Sequence, residues 1–138
     1  MLAYVDSSVI LRHLLEQPGR LAEWRLFRGP LASRLAEVEC LRTLDRMRVE
    51  QAYGDRHLAA LRGRVYRVLE TLQIIEVTRR ILARAAQPSP AALGTLDAIH
   101  LSSAMAWRER TNESFVFATH DAALGLAARA SGFRVIGA

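Results

Sequence analysis

An α/β fold built from parallel βαβ units is predicted by the alternation of two kinds of segment along this chain. Short apolar runs, clearest at Leu2 to Val5, Ile74 to Val77 and Phe115 to Ala118, have strand character. Each is followed by a segment in which apolar residues recur at helical spacing, which implies a mainly parallel sheet covered on both faces. No internal repeat, low-complexity tract or interdomain linker interrupts the pattern, and 138 residues with 51% hydrophobic content form one domain, residues 1–138.

The elements follow in order. Leu2 to Val5 ends in Asp6-Ser7-Ser8, after which Val9, Ile10, His13 and Leu14 share a helical face. Gln17-Pro18-Gly19 stops that helix, and Leu21 to Phe27 predicts a second, shorter one before Gly29-Pro30. Leu31-Ala32-Ser33 is a weaker strand signal. From Leu35 a helix pattern runs through Val38, Leu41 and Leu44 toward Val49, and another runs from Asp55 to Leu72 after a turn at Gly54. Ile74 to Val77 is the third strand, followed by a helix through Ile81 to Ala86 and a loop at Gln87-Pro88-Ser89-Pro90. Thr95 is placed to cap a helix carrying Leu96, Ile99, Ala104 and Trp107. Phe115 to Ala118 leads through Thr119-His120-Asp121 into a helix ending near Ser131-Gly132, and Phe133 to Ile136 is the last strand.

Ligands of open α/β sheets bind beyond the carboxyl ends of the strands, where Asp6 and Asp121 fall. Capping accounts for each aspartate singly, and Asp97 in a first helical turn complements the helix dipole. The set is more suggestive, because three of only five aspartates take such positions. Glu39 borders the apolar face of its helix, whereas Glu37 points almost the opposite way. An ion pair with Arg42 is the competing reading of Glu39. Converging carboxylates cannot all stay ionised without a cation, and Mg2+ or Mn2+ is the hard ion that suits oxygen ligands.

Charge and missing residue types narrow the chemistry. The 19 basic residues are all arginine, and with 14 acids they give +5 and a pI near 10.6. That balance favours a polyanion such as nucleic acid, although a GC-rich genome also produces arginine. A chain without lysine cannot build a P-loop, and the phosphoaspartate families that rely on a lysine are equally disfavoured. Neither a G-x-S-x-G elbow nor a dinucleotide glycine fingerprint occurs. Cys40 is alone, so an intramolecular disulfide or a Cys-rich zinc site is excluded. Asp6 interrupts the start too early for a signal peptide, and no apolar stretch approaches the roughly 18 residues of a membrane span. A soluble, cytoplasmic protein is expected. Arg56, Arg62, Arg64 and Arg67, with Arg46 and Arg48 before them, form either an RNA-phosphate grip or a solvated charged face.

Four blocks, in order, resemble the PIN-domain endoribonucleases, in particular the VapC toxins of type II toxin-antitoxin pairs: Tyr4-Val5-Asp6-Ser7-Ser8, Ser33 to Arg42, Thr95 to Leu101, and Phe117 to Leu124. The resemblance implies a three-layer α/β/α sandwich around a mainly parallel sheet of four to five strands. It implies Asp6 and Asp97 as the principal ligands of Mg2+ or Mn2+, Asp121 as a third acid, and Glu39 rather than Glu37 as the acid on its helix. Ser8 and Thr119 match the small polar residues that hydrogen-bond within the acidic site. The activity implied is hydrolysis of RNA, tRNA or rRNA, by a homodimer restrained by a cognate VapB-type antitoxin. An amphipathic groove at Ile10 to Leu15 and Leu21 to Phe27 would receive the antitoxin helix. Relatives that carry another acid or Asn shortly after the third acid differ from this chain, which has Ala122, Ala123 and Leu124. The alternative activity is RNA or protein binding without cleavage. His120 is either a general base or a variable loop residue, and His100 either a ligand or a helix-packing residue.

Overall fold

The computed structural model describes residues 1–89 and 91–138. Five strands, β1 (Ala3–Val5), β2 (Leu31–Ser33), β3 (Gln73–Ile75), β4 (Val116–Ala118) and β5 (Arg134–Ile136), form one sheet in the order β3-β2-β1-β4-β5. All pairings are parallel. The chain builds outward from β1 to β3 on one side, then returns to place β4 on the other side of β1. That reversal opens a crevice between the carboxyl ends of β1 and β4.

Six helices cover the sheet: α1 (Ser7–Leu14), α2 (Leu35–Gln51), α3 (Asp55–Glu70), α4 (Arg79–Ala85), α5 (Thr95–Thr111) and α6 (Ala122–Ala130). Alternation along the strands divides the core in two, since successive side chains point to opposite faces. Ala3, Val5, Val116 and Ala118 pack with Val9, Ile10, Cys40, Leu44, Leu61 and Val65 of α1 to α3. Tyr4 and Phe117 pack on the other face with Ile81, Ile99, Leu101, Leu124 and Ala128 of α4 to α6. The architecture is the three-layer α/β/α sandwich with its parallel sheet.

Local departures from the sequence reading have identifiable causes. Leu21 to Phe27 forms only a 3₁₀ turn, Ala22–Leu26, because Gly-Pro breakers crowd it and Phe27 is drawn into the core. β3 begins one residue earlier than expected and ends at Ile75, where Ser33 of β2 is its last partner. Glu76 then leaves the sheet to pair with Arg34, and Thr78 caps α4 through the Ile81 amide at 3.2 Å. Thr95 is the first helical residue rather than the cap; Gly94 takes that place without a side-chain bond. Pro90, the last residue of the breaker run, lies outside the described residues.

Cys40 is wholly buried on α2. Burial, followed by the Glu39 and Asp6 charges, pushes its thiol up to about 12. Because only the thiolate is reactive, the native protein is expected to resist a disulfide reagent such as DTNB at neutral pH and to release one equivalent only when denatured. Stoichiometric labelling of the folded protein within minutes would contradict this burial. Among the described residues no helix is long and apolar enough to cross a membrane.

Candidate active site

The sheet ladder continues directly into the crevice. The Asp6 amide donates to the Ala118 carbonyl at 3.2 Å, and the Thr119 amide donates to Ile136 at 3.1 Å. These bonds place Asp6 and Thr119 side by side just past the strand ends. Asp6 caps α1: Oδ1 accepts from the Val9 amide at 3.1 Å and from the Ser8 hydroxyl at 2.6 Å. Its Oδ2 accepts from the Thr119 hydroxyl at 2.6 Å.

Both small polar residues are bridges. Ser8 Oγ accepts from the His120 amide at 3.0 Å, and Thr119 Oγ1 accepts from the Asp121 amide at 3.0 Å. Asp121 caps α6 through the Leu124 amide at 2.7 Å. Asp6, Ser8, Thr119 and the Thr119-to-Asp121 turn therefore form one hydrogen-bonded unit. The capping readings of Asp6 and Asp121 hold, and the same caps tie both residues to the crevice.

Glu39 and Asp97 approach from α2 and α5. Glu39 Oε1 lies 2.5 Å from His100 Nε2, and His100 Nδ1 lies 2.7 Å from the Tyr4 hydroxyl. The competing pair with Arg42 does not form, because Arg42 reaches Asp45 at 3.0 Å, while Glu37 faces Arg34 at 3.9 Å. Asp97 is partly buried in the first turn of α5. Burial and then the Asp121 charge raise its carboxyl above the usual range; His100 opposes this, and Asp6 and Glu39 add to it. Three acids, separated from one another by up to 115 positions in sequence, thus act on one carboxyl.

Among the described residues no arginine pairs with Asp6, Asp97 or Asp121, although the chain has 19 basic residues. No three His, Cys, Asp or Glu side chains among them are gathered at metal-ligating distance. An all-oxygen set of carboxylates with no arginine against Asp6, Asp97 or Asp121 is nevertheless the donor chemistry that a hard divalent cation requires.

Other expected features fall elsewhere. His120 turns Nδ1 to the Gly137 carbonyl at 3.2 Å, and its Nε2 is buried without a hydrogen-bond partner. Arg64 donates to the Leu14 carbonyl at 3.2 Å, at the end of α1 remote from Asp6, where His13, Arg20 and Arg67 line a small recess. An eight-residue helix puts that basic recess roughly 12 Å along α1 from the acids. On the early helices Ile10, Leu14 and Phe27 are core residues, Leu11, Leu15, Leu21 and Trp24 are only partly buried, and Leu26 is exposed.

Sequence reasoning missed two contributors. The Tyr4-to-His100 contact joins residues 96 positions apart and left no local signal. Gly137 has φ of +93°, and a Cβ there would lie 2.5 Å from the Thr119 carbonyl oxygen. Gly137→Ala is therefore expected to cost more than about 1 kcal/mol and to displace the Thr119 turn. A thermal melt and the Thr119 and Asp121 amide shifts would report it; unchanged melting and shifts would contradict the close approach.

The PIN domain family matches residues 3–130 of the chain. No curated protein matches it by sequence. Solved structures that resemble it include a toxin-antitoxin complex from Klebsiella pneumoniae (TM-score 0.64, 16% identity, 86% of each chain covered). A protein of Pyrobaculum aerophilum aligns with TM-score 0.64 and 17% identity over 99% of this chain and 90% of its own. VapBC2 from Rickettsia felis, bound to a DNA fragment from its promoter, aligns with TM-score 0.66 and 11% identity, covering 98% and 97%. With that match spanning nearly the whole chain, and a parallel α/β/α fold carrying its acids at the β1/β4 crevice, the chain belongs to the PIN domain family.

Proposed function

We propose that this protein is the toxin of a type II toxin-antitoxin pair, a Mg2+- or Mn2+-dependent endoribonuclease that cuts tRNA or rRNA and is held in check by a VapB-type antitoxin. The observation that carries the reading is the acidic crevice, where burial and then the charge of Asp121 raise the Asp97 carboxyl and, among the described residues, no arginine pairs with Asp6, Asp97 or Asp121. PIN domains are generally nucleases, and the toxin-antitoxin assemblies among the structural neighbours support an antitoxin partner. A homodimer completes the reading.

Asp6 and Asp97 would hold the metal, with Asp121 completing its shell and Glu39 as the fourth acid. A bound divalent ion supplies charge neutralisation at the scissile phosphodiester and eases deprotonation of the attacking water. The chain's own residues set the geometry. Ser8 and Thr119 fix both oxygens of Asp6, Thr119 also orients Asp121 through its amide, and His100 holds Glu39.

Partner-free protein is expected to cleave total RNA in Mn2+ and to lose that activity in EDTA or on Asp6→Asn or Asp97→Asn substitution. Cleavage surviving both treatments would refute metal-dependent hydrolysis by these acids. The second reading, a PIN-fold module that binds without cutting, draws on the engagement of both Asp6 oxygens in protein hydrogen bonds. RNA retained on the protein but never cut would favour it.

A further inference from the structure

We propose that Tyr4 and His100 are positioning residues: a directed Tyr4-to-His100-to-Glu39 hydrogen-bond chain holds Glu39 with Oε1 occupied and Oε2 left for the acidic crevice. The inference rests on the nuclease reading of that crevice and adds two residues to it.

The chain spans three elements, β1, α5 and α2, and its contacts bridge 96 and 61 positions of sequence. Tyr4 is wholly buried, with its ring stacked on Phe117 at 4.9 Å between centroids, so the phenol has little freedom. His100 is 1% exposed and has both ring nitrogens engaged. A buried phenol and a buried imidazole each need partners, and here each supplies the other's.

Donor counting gives the chain a direction. An ionised glutamate only accepts, so the His100 nitrogen facing Glu39 must carry the proton. Nδ1 of the neutral ring is then a bare acceptor, and the Tyr4 hydroxyl is the group that donates to it. Tyr4 thereby selects the Nε2–H tautomer, and that tautomer fixes Glu39. Glu39 Oε2 has no hydrogen-bond partner among the described residues. This is the arrangement by which a histidine orients a carboxylate toward a charged site without touching substrate.

Tyr4→Phe removes one hydroxyl and preserves the stacked ring, making it the variant of choice. In Mn2+-supported RNA cleavage its kcat is expected to fall about 10-fold with KM unchanged, as for loss of an orienting partner. His100→Gln keeps an N–H within reach of Glu39 and should retain more kcat than His100→Ala, whereas packing alone gives no reason for that order. Imidazole nitrogen NMR of the metal-free wild-type protein provides the readout independent of cleavage. His100 should carry its proton on Nε2, with Nδ1 as acceptor. A proton on Nδ1, or a doubly protonated ring, overturns the proposal. So does wild-type cleavage matched within about twofold by both Tyr4→Phe and His100→Gln. If the wild-type protein cuts no RNA, the nuclease reading fails by itself. The tautomer then still supports or overturns the positioning chain.

Discussion

Asp97→Asn is expected to lower Mn2+-supported RNA cleavage by about 10³-fold, roughly 4 kcal/mol of barrier, while leaving the metal-free protein at least as stable as wild type. The two effects share one cause. Asp97 makes no hydrogen bond or ion pair among the described residues, and its carboxyl is raised by burial and by the Asp121, Asp6 and Glu39 charges. Asparagine removes the repulsion without unmaking a structural contact. Solvent screening of a partly exposed group keeps the gain small, on the order of a few degrees in Tm.

The sign of the pH dependence follows from the same shift. A carboxyl whose folded pKa exceeds its unfolded value of 3.8 binds protons more readily in the folded state. Its contribution is fully present below that unfolded value and is lost as pH rises through the higher folded one. Metal-free wild-type protein should therefore lose stability across that window in a way Asp97→Asn does not. Added Mn2+ should restore the wild type at neutral pH. Melting curves with and without metal at several pH values test all three statements, and a large loss of metal-free stability in Asp97→Asn would show that Asp97 is structural.

The parts of the fold visible in sequence were those carried by local pattern. Three-residue strands such as Val116–Ala118 were legible because their flanks were also apolar, and Asp6 and Asp121 were legible as caps because capping depends on the next three residues. β3 was misplaced by one residue at its start and two at its end because register is set by pairing with Leu31 to Ser33, which lies 42 positions away. The site divides in the same way. Helix geometry favoured Glu39 over Glu37, but the family resemblance supplied its role, and only the fold revealed His100 as its partner. The Arg64 cluster stays open between an RNA-phosphate grip and a solvated face, because charge in sequence does not reveal which carbonyl a guanidinium will reach; here Arg64 donates to Leu14 of α1.

Asp6→Ala is expected to combine loss of activity with a stability loss of roughly 2–4 kcal/mol, the largest structural effect in the crevice. Removing the side chain uncaps α1 at Val9 and leaves the Ser8 and Thr119 hydroxyl protons without their acceptor. Asp6 is 4% exposed and Thr119 fully buried, so water cannot simply replace the lost bonds. For a chain of this length the melting temperature should fall by roughly 8–15 °C. Asp6→Asn separates capping from charge. Its amide oxygen can still accept from Val9, and Thr119 Oγ1 can accept from the new N–H while keeping its bond from the Asp121 amide; only the Thr119 proton is orphaned. A loss near 1 kcal/mol is expected, with activity as low as in Asp6→Ala. Thr119→Val provides the converse case, since it preserves volume but frees Asp6 Oδ2 and the Asp121 amide together. Coupling between Asp6→Ala and Thr119→Val in a double-mutant cycle should reach at least about 1 kcal/mol, because each removes the other's partner. Additive losses would mean that Asp6 and Thr119 serve as two separate caps, leaving no shared network to hold Asp6 and Asp121 at a common centre.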